Sequence, residues 1–257
     1  MGRGAIDFLP IWGVFLATVA VVLLSVEGGF RLGAYRRRRS EQEDRPPVGE
    51  IVAATLTLLA FLLAFTFGLA ASRFDVRRGL VVEEANAIGT TYLRAALLPE
   101  PHRSAVSGLL REYVDVRLEA LEPGKLDRSV ARSSELHARL WDHATAVARE
   151  DPRSIVVGLF IESLNEVIDL HTKRLMLGAG NRIPGVIWAT LYFVTIAGTA
   201  VMGYHTGLTG SARSLAMVAL VVAFSAVMAL IADLDRPQEG LLRVGQQAMG
   251  DLRESLK

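Results

Sequence analysis

Residues 51–71 read IVAATLTLLAFLLAFTFGLAA. Glu50 precedes this stretch and Arg73 follows it, and no residue between them carries a charge. Wound as a helix at about 1.5 Å per residue, it covers roughly 31 Å, the thickness of a hydrocarbon core. Three more runs have the same character: Phe8 to Val26, Ile183 to Met202, and Leu215 to Ala232. Four such runs in 257 residues would exhaust any soluble surface, so each is expected to cross a bilayer. The first is not expected to be cleaved. No small-x-small site follows it, and Arg36, Arg37, Arg38 and Arg39 form a stop-transfer flank instead. The expected fold is an all-α polytopic membrane protein with four transmembrane helices. A helical insert separates the second from the third. The expected divisions are 1–71 (first helix pair with a basic loop), 72–182 (extramembrane insert), 183–232 (second pair) and 233–257 (tail).

Composition narrows the function. The net charge of +1 gives no global attraction to nucleic acid. The absence of cysteine excludes disulfides, thiolate metal sites and a cysteine nucleophile. Basic residues set the expected orientation, because short loops rich in arginine stay in the cytoplasm. The first loop holds Arg31, Arg36 to Arg39 and Arg45, and the second short loop holds Arg213; Arg3, Arg236 and Arg243 lie on the other side. This places both termini and residues 72–182 outside. Arg73, Arg77, Arg78, Lys173, Arg174 and Arg182 at the membrane ends of the insert count in the opposite direction.

The insert reads as helices. Val81, Ala85, Ile88 and Tyr92 continue a helical period from Phe74. Residues 51–97 should therefore be one rod of about 70 Å, ending at Leu98-Pro99-Glu100-Pro101. Helices are expected over His102–Leu121, stopped by Pro123-Gly124, and over Leu126–Arg149. A last one should open with Asp151 as N-cap and Pro152 at its first position, and close at Gly178-Ala179-Gly180. Short connections make neighbours antiparallel. Ser40–Val48 reads as a linker, and the tail after Asp233 as an interfacial helix.

No enzyme signature is present. His102, His137, His143, His171 and His205 show no metal-ligand spacing, and Glu83-Glu84 point about 100° apart on a helix. No cofactor, metal or catalytic residue is expected. The membrane runs say more. Ala53, Thr57, Ala60, Ala64 and Gly68 form a small-residue stripe, with Phe61 and Phe65 stacked one turn apart. Similar stripes are Ala212, Ala216, Ala219, Ala223 and Ala226 in the fourth run, and Gly13, Ala17 and Ala20 in the first; Gly203 and Gly207 form a GxxxG. Such stripes let helices approach closely in lipid. Trp188, Tyr192, Thr195 and Thr199 share another face. If subunits enclose a pore, the second run should line it, with Phe61 and Phe65 as a hydrophobic constriction and the Thr195–Thr199 face as the runner-up lining. No carboxylate lies mid-membrane, which argues against coupled transport.

The runs Phe65-Thr66-Phe67-Gly68, Phe74-Asp75-Val76-Arg77, Glu84-Ala85-Asn86-Ala87-Ile88-Gly89, Tyr92-Leu93-Arg94 and Leu97-Leu98-Pro99 resemble the bacterial bestrophin-like family. Arg174 before Pro184, and Asp233-Leu234-Asp235-Arg236-Pro237 followed by Gly240, fit the later part of that pattern. The resemblance covers about residues 50–245. It implies a homo-oligomeric channel in the bacterial inner membrane, with bilayer and self as partners and an inorganic anion as permeant. It also implies a cytosolic insert and cytosolic termini, opposite to the basic-residue count. A non-conducting scaffold or sensor whose insert binds a partner is the alternative. Arg77, Glu84, Asn86, Arg94, Arg174, Asp235 and Arg236 form the expected structural polar motif, with Glu84 paired to Arg174 or Lys173 of the returning helix.

Overall fold

The computed structural model describes residues 8–39, 48–122, 124–179, 182–211, 215–236 and 240–257. Arg3, Ser40–Pro47, Pro123, Gly180, Ala212, Arg213 and Pro237 lie outside them. Among the described residues every element is helical: α1 (Ile11–Arg39), α2 (Val48–Ala95), α3 (His102–Glu119), α4 (Leu126–Glu150), α5 (Ile155–Ala179), α6 (Gly185–Thr209), α7 (Leu215–Asp235) and α8 (Gln247–Ser255). Four of them, α1, α2, α6 and α7, are long and apolar enough to cross a membrane. The chain is an all-α membrane protein.

Two compact units form, Met1–Phe74 with Arg182–Arg243, and Asp75–Asn181 with Val244–Lys257. Helix α2 is common to both. Its 48 unbroken residues span about 72 Å.

In the first unit α1 packs along α6 and α7. Glycine decides the first of these contacts. A Cβ at Gly29 would run into the Ala200 carbonyl, and one at Gly33 into that of Tyr204. From the other side, Gly203 faces the Val26 carbonyl and Gly207 that of Phe30. Two GxxxG pairs therefore interlock backbone against backbone, which only hydrogen side chains permit. Of the small residues expected to serve in α1, Gly13 is buried, whereas Ala17 and Ala20 are exposed. Thr18 donates to the Val14 carbonyl, so the Tyr192 hydroxyl donates to Thr18 across the α1–α6 seam at 2.8 Å. Leu59, Leu63, Trp188, Leu191, Met228 and Ile231 fill the rest of the core.

In the second unit the lower part of α2 packs with α3, α4, α5 and α8 around Ile88, Leu110, Tyr113, Leu136, Leu140, Phe160 and Leu164. Two boundary readings need correction. Helix α5 starts at Ile155, not at Pro152, because Asp151 terminates α4 through its N–H to the Val147 carbonyl. The Asp151 side chain then accepts from Arg153 N at 3.2 Å, and the Ser154 hydroxyl caps Val157 N instead. Nor is the tail an interfacial helix. Met249 of α8 is 0% exposed within this core. Arg111 donates to the Leu256 carbonyl at 2.6 Å, and Arg253 pairs with Asp115 at 2.7 Å.

Candidate functional site

The residues expected to line a pore separate into two groups. Ala53, Thr57, Ala60, Phe61, Ala64, Phe65 and Gly68 all lie on one exposed side of α2, with Phe61 66% and Phe65 67% exposed. Leu59, Leu63 and Thr66 face inward from the opposite side. Thr57 bonds to the Ala53 carbonyl of its own helix at 2.8 Å, so the stripe presents methyls, rings and one hydroxyl oxygen. Thr195 and Thr199 form the other group, and here the expectation fails. Both are 0% exposed and donate at 2.7 Å to the Leu191 and Thr195 carbonyls. They face the interior of the subunit because the same side of α6 carries Trp188, Leu191 and the glycines that meet α1.

Acidic residues organise the membrane end of α7. Asp235 accepts from Ile183 N at 2.9 Å, and Arg182 donates to the Asp235 carbonyl at 3.1 Å. Asp233 accepts from Leu241 N at 2.8 Å and Leu242 N at 2.9 Å. Gly240 has φ +130, and a Cβ there would strike the Asp233 carboxylate, so glycine is required. Arg236 donates to the Leu9 carbonyl at 2.5 Å. The Asp-Leu-Asp-Arg run thus ties α7 to the starts of α1 and α6.

Beyond the apolar span, Glu84 is fully buried and collects donors from two other helices. The Tyr113 hydroxyl donates at 2.6 Å, Arg117 Nε at 3.0 Å and Nη2 at 3.3 Å, and Arg174 Nη1 completes the set. Arg174 reaches on to Gln246 Oε1 at 3.3 Å. Burial alone would raise the Glu84 pKa; Arg117, Arg174 and the tyrosine outweigh it and hold the carboxyl below its ordinary range. Burial and the adjacent carboxylate push the tyrosine well above its own. With Tyr113 donating to Glu84, His171 Nδ1 at 3.2 Å becomes the donor to the phenol oxygen. His137 meets both rings, tilted against Tyr113 at 4.8 Å and edge to face with His171 at 4.9 Å between centroids. The Nε2 atoms of His137 and His171 are buried without a partner. Burial, aided by Arg117, lowers both histidines to about 4, so they are neutral at pH 7.

Arg77 is buried on the same helix, whereas Asn86 is exposed and outside the cluster. Arg94 turns away to the Leu159 carbonyl at 2.6 Å. Tyr113 and Arg117 went unread in the sequence, and His137 and His171 were noted only as lacking metal-ligand spacing, although Tyr113 and Arg117 stand four apart on α3 and His171 and Arg174 three apart on α5.

A family model described as the Bestrophin-like domain matches residues 12–249. The chain belongs to the bestrophin-like family. Solved structures agree in fold with this bestrophin-like chain. A point variant of a bacterial bestrophin homologue from Klebsiella pneumoniae superposes with a TM-score of 0.68 at 14% identity, over 95% of this chain and 96% of that one. The homologue solved by Zn-SAD phasing gives the same values. A further structure, described as a membrane protein, gives 0.65 at 16% identity over 95% of each chain. At these identities the likeness is one of fold. No curated protein matches this sequence.

Proposed function

We propose that this bestrophin-like protein is a homo-oligomeric ion channel of the inner membrane, that anions permeate it, and that α2 lines the pore. One observation supports this above others. The exposed faces of α1, α6 and α7 mix large side chains suited to acyl chains, such as Trp12, Leu16, Leu24, Phe193, Leu215 and Val222, with small ones, including Ala17, Ala20, Ala216, Ala219, Ala223 and Ala226. The exposed face of α2 alone sets an unbroken small stripe, Ala53, Thr57, Ala60, Ala64 and Gly68, with its one hydroxyl, beside the exposed rings of Phe61 and Phe65. Small residues pack poorly against lipid and well against another helix, so this is the face on which copies would converge. The span holds no ionised group. Selectivity would then rest on the hydroxyl of Thr57, ring edges of Phe61 and Phe65, and helix-end dipoles.

The test is reconstitution in planar bilayers, with native mass spectrometry of the purified protein. A closed ring of subunits is expected. Phe61→Ala and Phe65→Ala should each raise conductance or open probability, by removing a hydrophobic constriction. A monomer or dimer without current, and without gain in either variant, would transfer the assignment to a non-conducting scaffold.

A further inference from the structure

Two histidines outside the Glu84 cluster carry chemistry that a channel pore does not use. His102 opens α3 and His143 lies in the second half of α4. Their Nδ1 atoms are 3.0 Å apart, and the rings meet edge to face with centroids at 5.3 Å. Glu150, seven residues after His143 on the same helix, sets Oε1 3.5 Å from His102 Nε2. A carboxylate there favours the proton on Nε2 and leaves the Nδ1 lone pair of His102 aimed at His143.

We propose that His102 and His143 form a binding site for a divalent transition-metal ion of the Zn2+ or Cu2+ class, with Glu150 orienting His102 from behind. An ion at about 2.0–2.1 Å from each nitrogen would subtend roughly 94° at the observed separation, and a tetrahedral angle needs only about 0.3 Å more. Imidazole nitrogens select such ions over Ca2+ or Mg2+, which take oxygen ligands. Among the described residues no three His, Cys, Asp or Glu side chains converge for a metal. Water therefore completes the shell, and the site is an open one. Access exists, since the His102 side chain is 12% exposed and that of Glu150 61%. The charge around it is also favourable: Glu150 and Asp142 stand against Arg139. The buried His137–His171 pair has the opposite surroundings, because Arg117 and Arg174 beside it outnumber the single Glu84 carboxylate and disfavour a dication. The proposal does not depend on whether the protein conducts.

The competing arrangement is a plain N–H···N hydrogen bond between the same two atoms. Full-length protein without a polyhistidine tag, stripped with chelator in detergent, is titrated with Zn2+ by calorimetry and with Cu2+ by electron paramagnetic resonance. One ion per subunit and a spectrum showing two imidazole nitrogens are expected. His102→Ala and His143→Ala should each weaken binding at least tenfold. Glu150→Gln should weaken it by about tenfold, and His205→Ala should leave it unchanged. No saturable binding, or equal binding by His143→Ala, would overturn the site. The wild-type resonance spectrum decides the matter independently if an alanine variant fails to fold, because a spectrum without two imidazoles also overturns it.

Discussion

Glu84 is the residue on which the insert turns. Its carboxylate neutralises part of Arg117 and Arg174, and a phenol supplies a further bond. Such a buried pair adds little over an apolar replacement, but breaking it strands charge. Glu84→Gln should therefore cost about 3–5 kcal/mol of stability, read as a lower denaturant midpoint of the detergent-solubilised protein. An unchanged midpoint would mean that the arginines find water instead. The neighbouring histidines predict a pH dependence. Their pKa values are about 4 in the folded chain against 6.5 unfolded. Between those values the unfolded chain binds more protons, so stability falls as pH falls from 6.5 toward 4. The two histidines together should remove a few kcal/mol, and Glu84, held low, adds its own loss only at more acidic pH. Equilibrium denaturation at pH 7 and pH 4.5 measures this; equal stability would refute the neutral, buried state.

The α1–α6 seam concentrates its risk in four positions. Gly29, Gly33, Gly203 and Gly207 each face a carbonyl of the partner helix. A methyl at Gly203 cannot be absorbed by a rotamer change, because the obstacle is backbone. Gly203→Ala should cost at least about 1–3 kcal/mol, the usual penalty of overpacking. Gly68→Ala meets open space and should leave monomer stability nearly unchanged. Thermal unfolding of both variants separates the two roles, and a Gly203→Ala melting curve matching wild type would count against the close seam. Helix α2 behaves differently along its length. It buries one side among α6 and α7 residues and leaves Ala53 to Gly68 open. Beyond Asp75 it contributes Leu80, Ile88 and Ala95 to the second core.

Across the whole molecule, the basic residues and the family resemblance predict opposite sides of the membrane for the insert. The basic-residue count puts the arginine-rich end of α1 and Arg45 in the cytoplasm. Ser40→Cys should then be protected from a membrane-impermeant thiol reagent in intact cells. Labelling would place residues 72–182 in the cytoplasm, as the family resemblance implies.

Four spans, an all-helical insert and an uninterrupted α2 were legible in the sequence because apolar run length and helical period are local properties. The Glu84–Arg174 juxtaposition was also reachable, since a segment that leaves and re-enters one face brings its first and last helices together. The remaining partners were not. Tyr113 and Arg117 show only that they share a face of α3, and nothing local says that this face meets Glu84. Thr195 and Thr199 look like pore hydroxyls on a helical wheel, yet the packed glycines of α6 turn that face inward. Gly203 and Gly207 were legible as a GxxxG while their partners Gly29 and Gly33 were not, for the same reason: a GxxxG announces a close contact but not with which helix. Periodicity encodes which side of a helix is buried or small. Which helix covers that side depends on the packing of distant segments, and only the folded chain decides it.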